Sequence, residues 1–107
     1  MTMLISKRKP ETVGEILKEE FLEPMNVTNS ELAARIGVHR NTISNLVNNK
    51  TTLTPELASK LAAVFGNTPD FWLNIQHAVD VWESRNSYEN QINVIKPFTI
   101  DRNTPVT

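Results

Sequence analysis

NSELAARIGVHRNTISNLVN, running from Asn29 to Asn48, fixes the architecture of the chain. Apolar residues recur at helical spacing on both sides of one glycine: Leu32, Ala33 and Ile36 before Gly37, then Ile43, Leu46 and Val47 after it. Counting Asn29 as the first position, Ala33 is fifth, Gly37 ninth, Ile43 fifteenth and Leu46 eighteenth, which is the spacing of a helix-turn-helix. Each position has a mechanical cause. Ala33 must be small where the two helices cross, Gly37 makes the tight turn, and Ile36, Val38, Ile43 and Leu46 fill the wedge between them.

On the N-terminal side of this stretch, the period predicts a first helix over residues 13–23, with Val13, Ile16, Leu17 and Phe21 on one stripe and Pro24 as its stop. Thr28, Asn29 or Ser30 caps the second helix, and the third spans about residues 40–48. Thr54 and Pro55 open a fourth, burying Leu57, Leu61 and Val64 or Phe65 and stopping at Gly66. Thr68 and Pro69 open a fifth, which carries Phe71, Trp72, Ile75, Val79 and Trp82 to about residue 85. The expected fold is therefore all-α: a five-helix bundle with a lambda-repressor-like helix-turn-helix and flexible N- and C-terminal tails. Its divisions are a basic arm at residues 1–10, a helix-turn-helix domain that includes the fifth helix at 11–86, and a tail at 87–107. In that tail the apolar patch Ile92, Val94, Ile95 and Phe98 fits a short edge strand, a partner-binding segment or a frayed end.

A chain of 107 residues, 39% hydrophobic, fills one core. It has no cysteine, so disulfides and thiolate metal sites are excluded. The basic residues of MTMLISKRKP follow an apolar patch, the reverse of a secretory signal, and no apolar run nears the roughly 20 residues that cross a bilayer. A cytoplasmic protein is expected. The net charge of −1 conceals a pattern: residues 1–10 carry +3, 11–31 carry −5, 32–55 carry +3 and 56–107 carry −2. No Asp or Glu occurs between Leu32 and Pro55.

That local absence has a chemical reading. If the third helix lies in a major groove, the residues facing away from Ile43, Leu46 and Val47 read bases: Arg40, Asn41, Ser44, Asn45 and Asn48. Arg forks onto guanine and Asn onto adenine, each good pair giving roughly 1–3 kcal/mol of discrimination. Thr28, Asn29, Ser30, His39, Thr42, Lys50, Thr51 and Thr52 are candidates for phosphate contacts. A surface set against phosphates does not tolerate carboxylates. Catalysis is not expected. The only histidines, His39 and His77, lack partners at metal-ligand spacing, the glycines are too scattered for a phosphate loop, and no cofactor is called for.

Around the motif, VGEILKEEFLEPMNVT and GNTPDFWLNIQHAVD resemble the opening and the Pro-x-Phe-Trp-Leu-x-Leu-Gln-x-x-x-Asp signature of HigA-type antitoxins, within the phage-repressor-like (XRE) helix-turn-helix family. The resemblance covers about residues 8–83. Val13 departs where proline is usual, His39 where Ser or Thr often caps, and Ile75 where Leu is common; the first two are expected to loosen helix starts. The resemblance implies a small homodimer that binds its own palindromic operator and silences a RelE-like, messenger-RNA-cleaving toxin. Candidate residues exist for each role. Phe71, Trp72, Val79 and Trp82 offer a dimer interface, and Glu15, Glu19, Glu20 and Glu23, with Glu11 just before, offer a toxin-facing surface complementary to a basic nuclease. Two other functions fit the same residues: a stand-alone repressor, and a protein-binding module with a vestigial helix-turn-helix.

Overall fold

The structure, a computed structural model, describes residues 8–99. Most of the expected basic arm, residues 1–7, and the end of the expected tail, residues 100–107, lie outside the described residues. Every regular element within them is a helix. Helix α1 is built of three consecutive segments, Val13–Ile16, a π-helical Leu17–Leu22 and Glu23–Met25. It is followed by α2 (Asn29–Ile36), α3 (Arg40–Val47), α4 (Pro55–Phe65) and α5 (Pro69–Asn93).

Threonine caps four of the five helices. Thr12, Thr28, Thr54 and Thr68 each accept a hydrogen bond from the backbone three residues on, and Thr12 and Thr28 complete capping boxes with Glu15 and Glu31. His39 caps α3 by a different atom: its Nδ1 accepts from the Asn41 N–H at 3.0 Å. Both helix starts that depart from the family pattern are capped, Thr12 accepting from the Glu15 N–H and His39 from the Asn41 N–H. Gly37 and Gly66, each at φ 74°, end α2 and α4 in the left-handed conformation that glycine adopts without steric cost.

Two boundaries differ from the sequence-based expectation. Pro24 does not stop α1. It lacks the N–H for an α-helical bond to the Glu20 carbonyl and its ring crowds that carbonyl. The wider π turn, in which the Glu23 N–H reaches back to the Lys18 carbonyl, takes up the conflict, and the helix ends at Asn26 with φ 56°. The same widening places residues five apart on one face, so Leu17 and Leu22 are both buried while Phe21 is half-buried. Helix α5 runs to Asn93, so residues 87–93 are helical and not tail, and no strand occurs among the described residues.

The core joins all five helices: Val13, Leu17 and Leu22 of α1, Leu32 and Ala33 of α2, Ile43 and Leu46 of α3, Leu57, Ala58, Leu61 and Ala62 of α4, and Trp72 of α5. Phe21, Phe65, Phe71 and Trp72 form an aromatic cluster, with Phe21 4.7 Å from Phe65 and 4.9 Å from Trp72 between ring centres. The indole N–H of Trp72 donates to Asn67 Oδ1 at 2.8 Å, so this wholly buried side chain leaves no polar atom unpaired. No described helix is long and apolar enough to cross a membrane.

Candidate nucleic-acid interface

Helix α3 is presented by contacts on three sides. On the first, Gly37 turns the chain, and the N–H groups of Gly37 and Val38 both bond to the Ala33 carbonyl, the latter at 3.0 Å. On the second, α1 presses against its last turn. A Cβ on Gly14 would overlap the Leu46 carbonyl oxygen and stand 2.8 Å from that of Val47 and 2.9 Å from Oδ1 of Asn49, so only glycine admits this approach. On the third, the loop after α3 is closed by Asn49 at φ 60° and by the Lys50 N–H bonding to the Asn45 carbonyl at 2.8 Å. That loop is pinned to α5, where Gln76 Oε1 accepts from the Leu53 N–H at 3.1 Å. Ile43 and Leu46 are wholly buried beneath.

The opposite face of α3 carries the expected residues. Arg40, Asn41 and Asn48 are exposed, while Ser44 and Asn45 lie half-buried at the flanks of the stripe. Asn48 Nδ2 donates to Ser44 Oγ at 3.3 Å, which pre-orients two of the five. Thr28, Ser30, His39, Thr42, Lys50, Thr51 and Thr52 are exposed, and Asn29 is half-buried. The Thr28 hydroxyl accepts from the Glu31 N–H and also bonds to the Glu31 carboxylate, so it is engaged within its own cap. The Glu31 carboxyl lies below its ordinary value of 4.5, chiefly because the Thr28 N–H and hydroxyl bond to it, with Arg35 adding attraction. The acid bordering this face is thus held in its own cap. The N-capping geometry of His39 leaves Nε2 as the ring's remaining donor.

Several contributors escaped the reading of the sequence. Lys18, the one cation among the glutamates of residues 11–31, lines the same groove as Thr28, Asn29 and Asn48. Gly14, Asn49, Leu53 and Gln76 hold α3 and its following loop in place. Gly14 and Gln76 stand inside the two flanking stretches that carry the antitoxin resemblance, which was the available signal.

The expected dimer interface is corrected in part. Trp72 and Val79 are buried in the chain's own fold, at 0% and 5% exposure, and have no surface to offer a second copy. Phe71 is 41% exposed although it stacks edge-on against Trp72, and Trp82 is half-buried. Exposed apolar area instead continues along α5, at Val81, Tyr88 and Ile92. Glu15, Glu19, Glu20 and Glu23 are all exposed on α1, but Glu15 is engaged with Thr12, its Oε1 accepting from the Thr12 N–H at 2.8 Å.

Residues 18–72 match the helix-turn-helix family. Over 95 residues the chain is 57% identical to the antitoxin HigA-1 of Vibrio cholerae, covering 89% of this chain and 90% of that one. It is 51% identical over 92 residues to an HTH-type transcriptional regulator of Haemophilus influenzae, covering 84% and 86%. The fold superposes on the Pseudomonas aeruginosa antitoxin HigA, solved with the higBA promoter, with a TM-score of 0.80 at 26% identity, over 84% of this chain and 99% of that one. With the helix-turn-helix spacing, the flanking signatures and these relatives in agreement, the chain belongs to the HigA-type antitoxins of the helix-turn-helix family.

Proposed function

We propose that this protein is a cytoplasmic, sequence-specific DNA-binding antitoxin that represses its own operon and neutralises a small RelE-like, messenger-RNA-cleaving toxin. The observation that carries the DNA-binding part is the exposed face of α3. It presents Arg40, Asn41 and Asn48 in a helix-turn-helix frame, next to capping threonines and Lys50, in a stretch of chain without any carboxylate from Leu32 to Pro55. Arg40, Asn41, Ser44, Asn45 and Asn48 reach base edges; Thr28, Asn29, Ser30, His39, Thr42, Lys50, Thr51 and Thr52 hold phosphates.

The protein acts as a homodimer on a palindromic site. One helix in one groove contacts about four or five base pairs, and two-fold pairing doubles the contacts at half-sites about 34 Å apart. The seam runs along α5 from Phe71 and Trp82 through Val81, Tyr88 and Ile92, whose outer faces are left uncovered among the described residues. The toxin surface is the exposed carboxylate group of α1, Glu19, Glu20 and Glu23 with Glu15 beside them, which complements the cationic surface of an RNA-gripping nuclease.

Coexpression with the gene adjoining this one tests the partner. Growth arrest by the neighbour, relieved by this chain but not by its Glu19→Lys, Glu20→Lys, Glu23→Lys variant, supports the α1 surface; full relief by that variant rejects it. A second reading, a stand-alone repressor, is favoured by the regulator name of the Haemophilus influenzae relative. It wins if the neighbouring gene is harmless while the chain still represses its own promoter.

A further inference from the structure

Lys9 closes the basic run Lys7, Arg8, Lys9, just before the chain enters the bundle. The capping box at Thr12 and the close approach of Gly14 to α3 fix where that entry lies. As a result Lys9 lines the same cleft as Asn49, Thr51 and Thr52, the loop directly after α3. Its Nζ is 3.7 Å from Oε2 of Glu83 on α5, and the two side chains are 48% and 54% exposed. An ion pair so open to water and salt is weak and exchanges partners readily. A backbone phosphate brought beside Thr51 and Thr52 carries the charge of the Glu83 carboxylate, and its neutralisation also releases condensed counterions.

We propose that Lys9 leaves Glu83 for a DNA backbone phosphate when α3 docks, so that the start of the chain is a phosphate clamp and Glu83 its intramolecular competitor. The ligand is the sugar-phosphate backbone, independent of base sequence. Lys9 and Thr51, which line one cleft, grip it together, which extends each half-site's footprint beyond the bases that α3 reads. Glu83 keeps the clamp occupied when no DNA is present, and so lowers the affinity of the free protein for stray nucleic acid.

This inference rests on α3 docking in the groove, and the test separates the two. A fluorescent 40-base-pair duplex from the DNA upstream of the gene is titrated with wild type, Lys9→Gln, Glu83→Gln and the double variant between 50 and 200 mM salt, with a scrambled duplex as control. Both side chains are about half exposed, and circular dichroism checks that the variants keep the fold. Lys9→Gln is expected to lower the salt slope by about 0.9 for each protomer bound, equally on both duplexes. Glu83→Gln is expected to tighten binding of the otherwise wild-type chain severalfold at low salt, and to do nothing once Lys9 is gone. An unchanged slope in Lys9→Gln overturns the clamp. An equal gain from Glu83→Gln with and without Lys9 reveals a general charge effect and overturns the competition. Wild type that binds both duplexes alike, with no preference, sinks the groove-docking reading instead, and the clamp with it.

Discussion

Gly14 shows how much a single residue contributes to the placement of α3. Ordinarily, replacing glycine by alanine in a helix gains up to about 1 kcal/mol. Here the added Cβ meets backbone carbonyls of Leu46 and Val47, which cannot move aside as a flexible side chain would. Gly14→Ala should therefore lower stability by about 2 kcal/mol in chemical denaturation and weaken DNA binding further by displacing α3. His39 admits a cleaner comparison: His39→Ala should cost about 1 kcal/mol through loss of the cap on α3, and His39→Ser should recover it. Glu31 carries a pH signature. Its folded value is depressed, so its contribution is full above the ordinary value of 4.5 and disappears as pH falls through the lower folded value. A carboxyl titration followed by NMR should place the Glu31 midpoint below 4.5, and Thr28→Ala should move it back up. The capping threonines Thr54 and Thr68 were legible in the sequence, each standing before a first-turn proline, and Thr28 was one of three candidates. Gly14 was not, because its constraint comes from carbonyls more than thirty residues away.

Among the elements, α2 and α3 followed their periods closely, since an eight-residue helix bounded by a cap and Gly37 leaves the sequence little freedom. Helix α1 did not. Pro24 reads as a stop, yet the π-helical turn lets the helix pass through it and brings Leu22 inward. The end of α5 was not legible, because its outer half has no apolar period against the core: only Trp72 and Val79 are buried, and beyond Trp82 the described residues are exposed. Trp72→Ala should cost about 3–5 kcal/mol, from lost burial and an unpaired Asn67 oxygen, and thermal unfolding would register it. The outer half behaves differently. A helix with little to pack against is marginal alone, and Val81, Tyr88 and Ile92 are spaced seven and four residues apart, as a helical seam requires. Tyr88→Lys with Ile92→Lys should leave the fold intact and turn a dimer into a monomer in sedimentation at micromolar concentration; a dimer in the double variant would place the seam elsewhere.

Over the whole molecule, charge is segregated by element. The glutamates of α1 and the carboxylate-free stretch from Leu32 to Pro55 divide the surface between a prospective basic partner and a prospective anionic one. A protein of net charge −1 can bind a polyanion on these terms because phosphates meet the local field of α3 and its flanking loops. This division was readable from the order of residues alone. Which helix faces are available for pairing between copies was not, since Trp72 and Val79 look the same in sequence whether they fill a core or an interface. Base reading by α3 is tested by footprinting the upstream region with the Arg40→Ala, Asn41→Ala, Asn45→Ala variant. This folded variant should lose the protected site and keep only weak, sequence-independent binding, each lost base pair contact costing about 1–3 kcal/mol. Protection of the same site at wild-type concentration would contradict it.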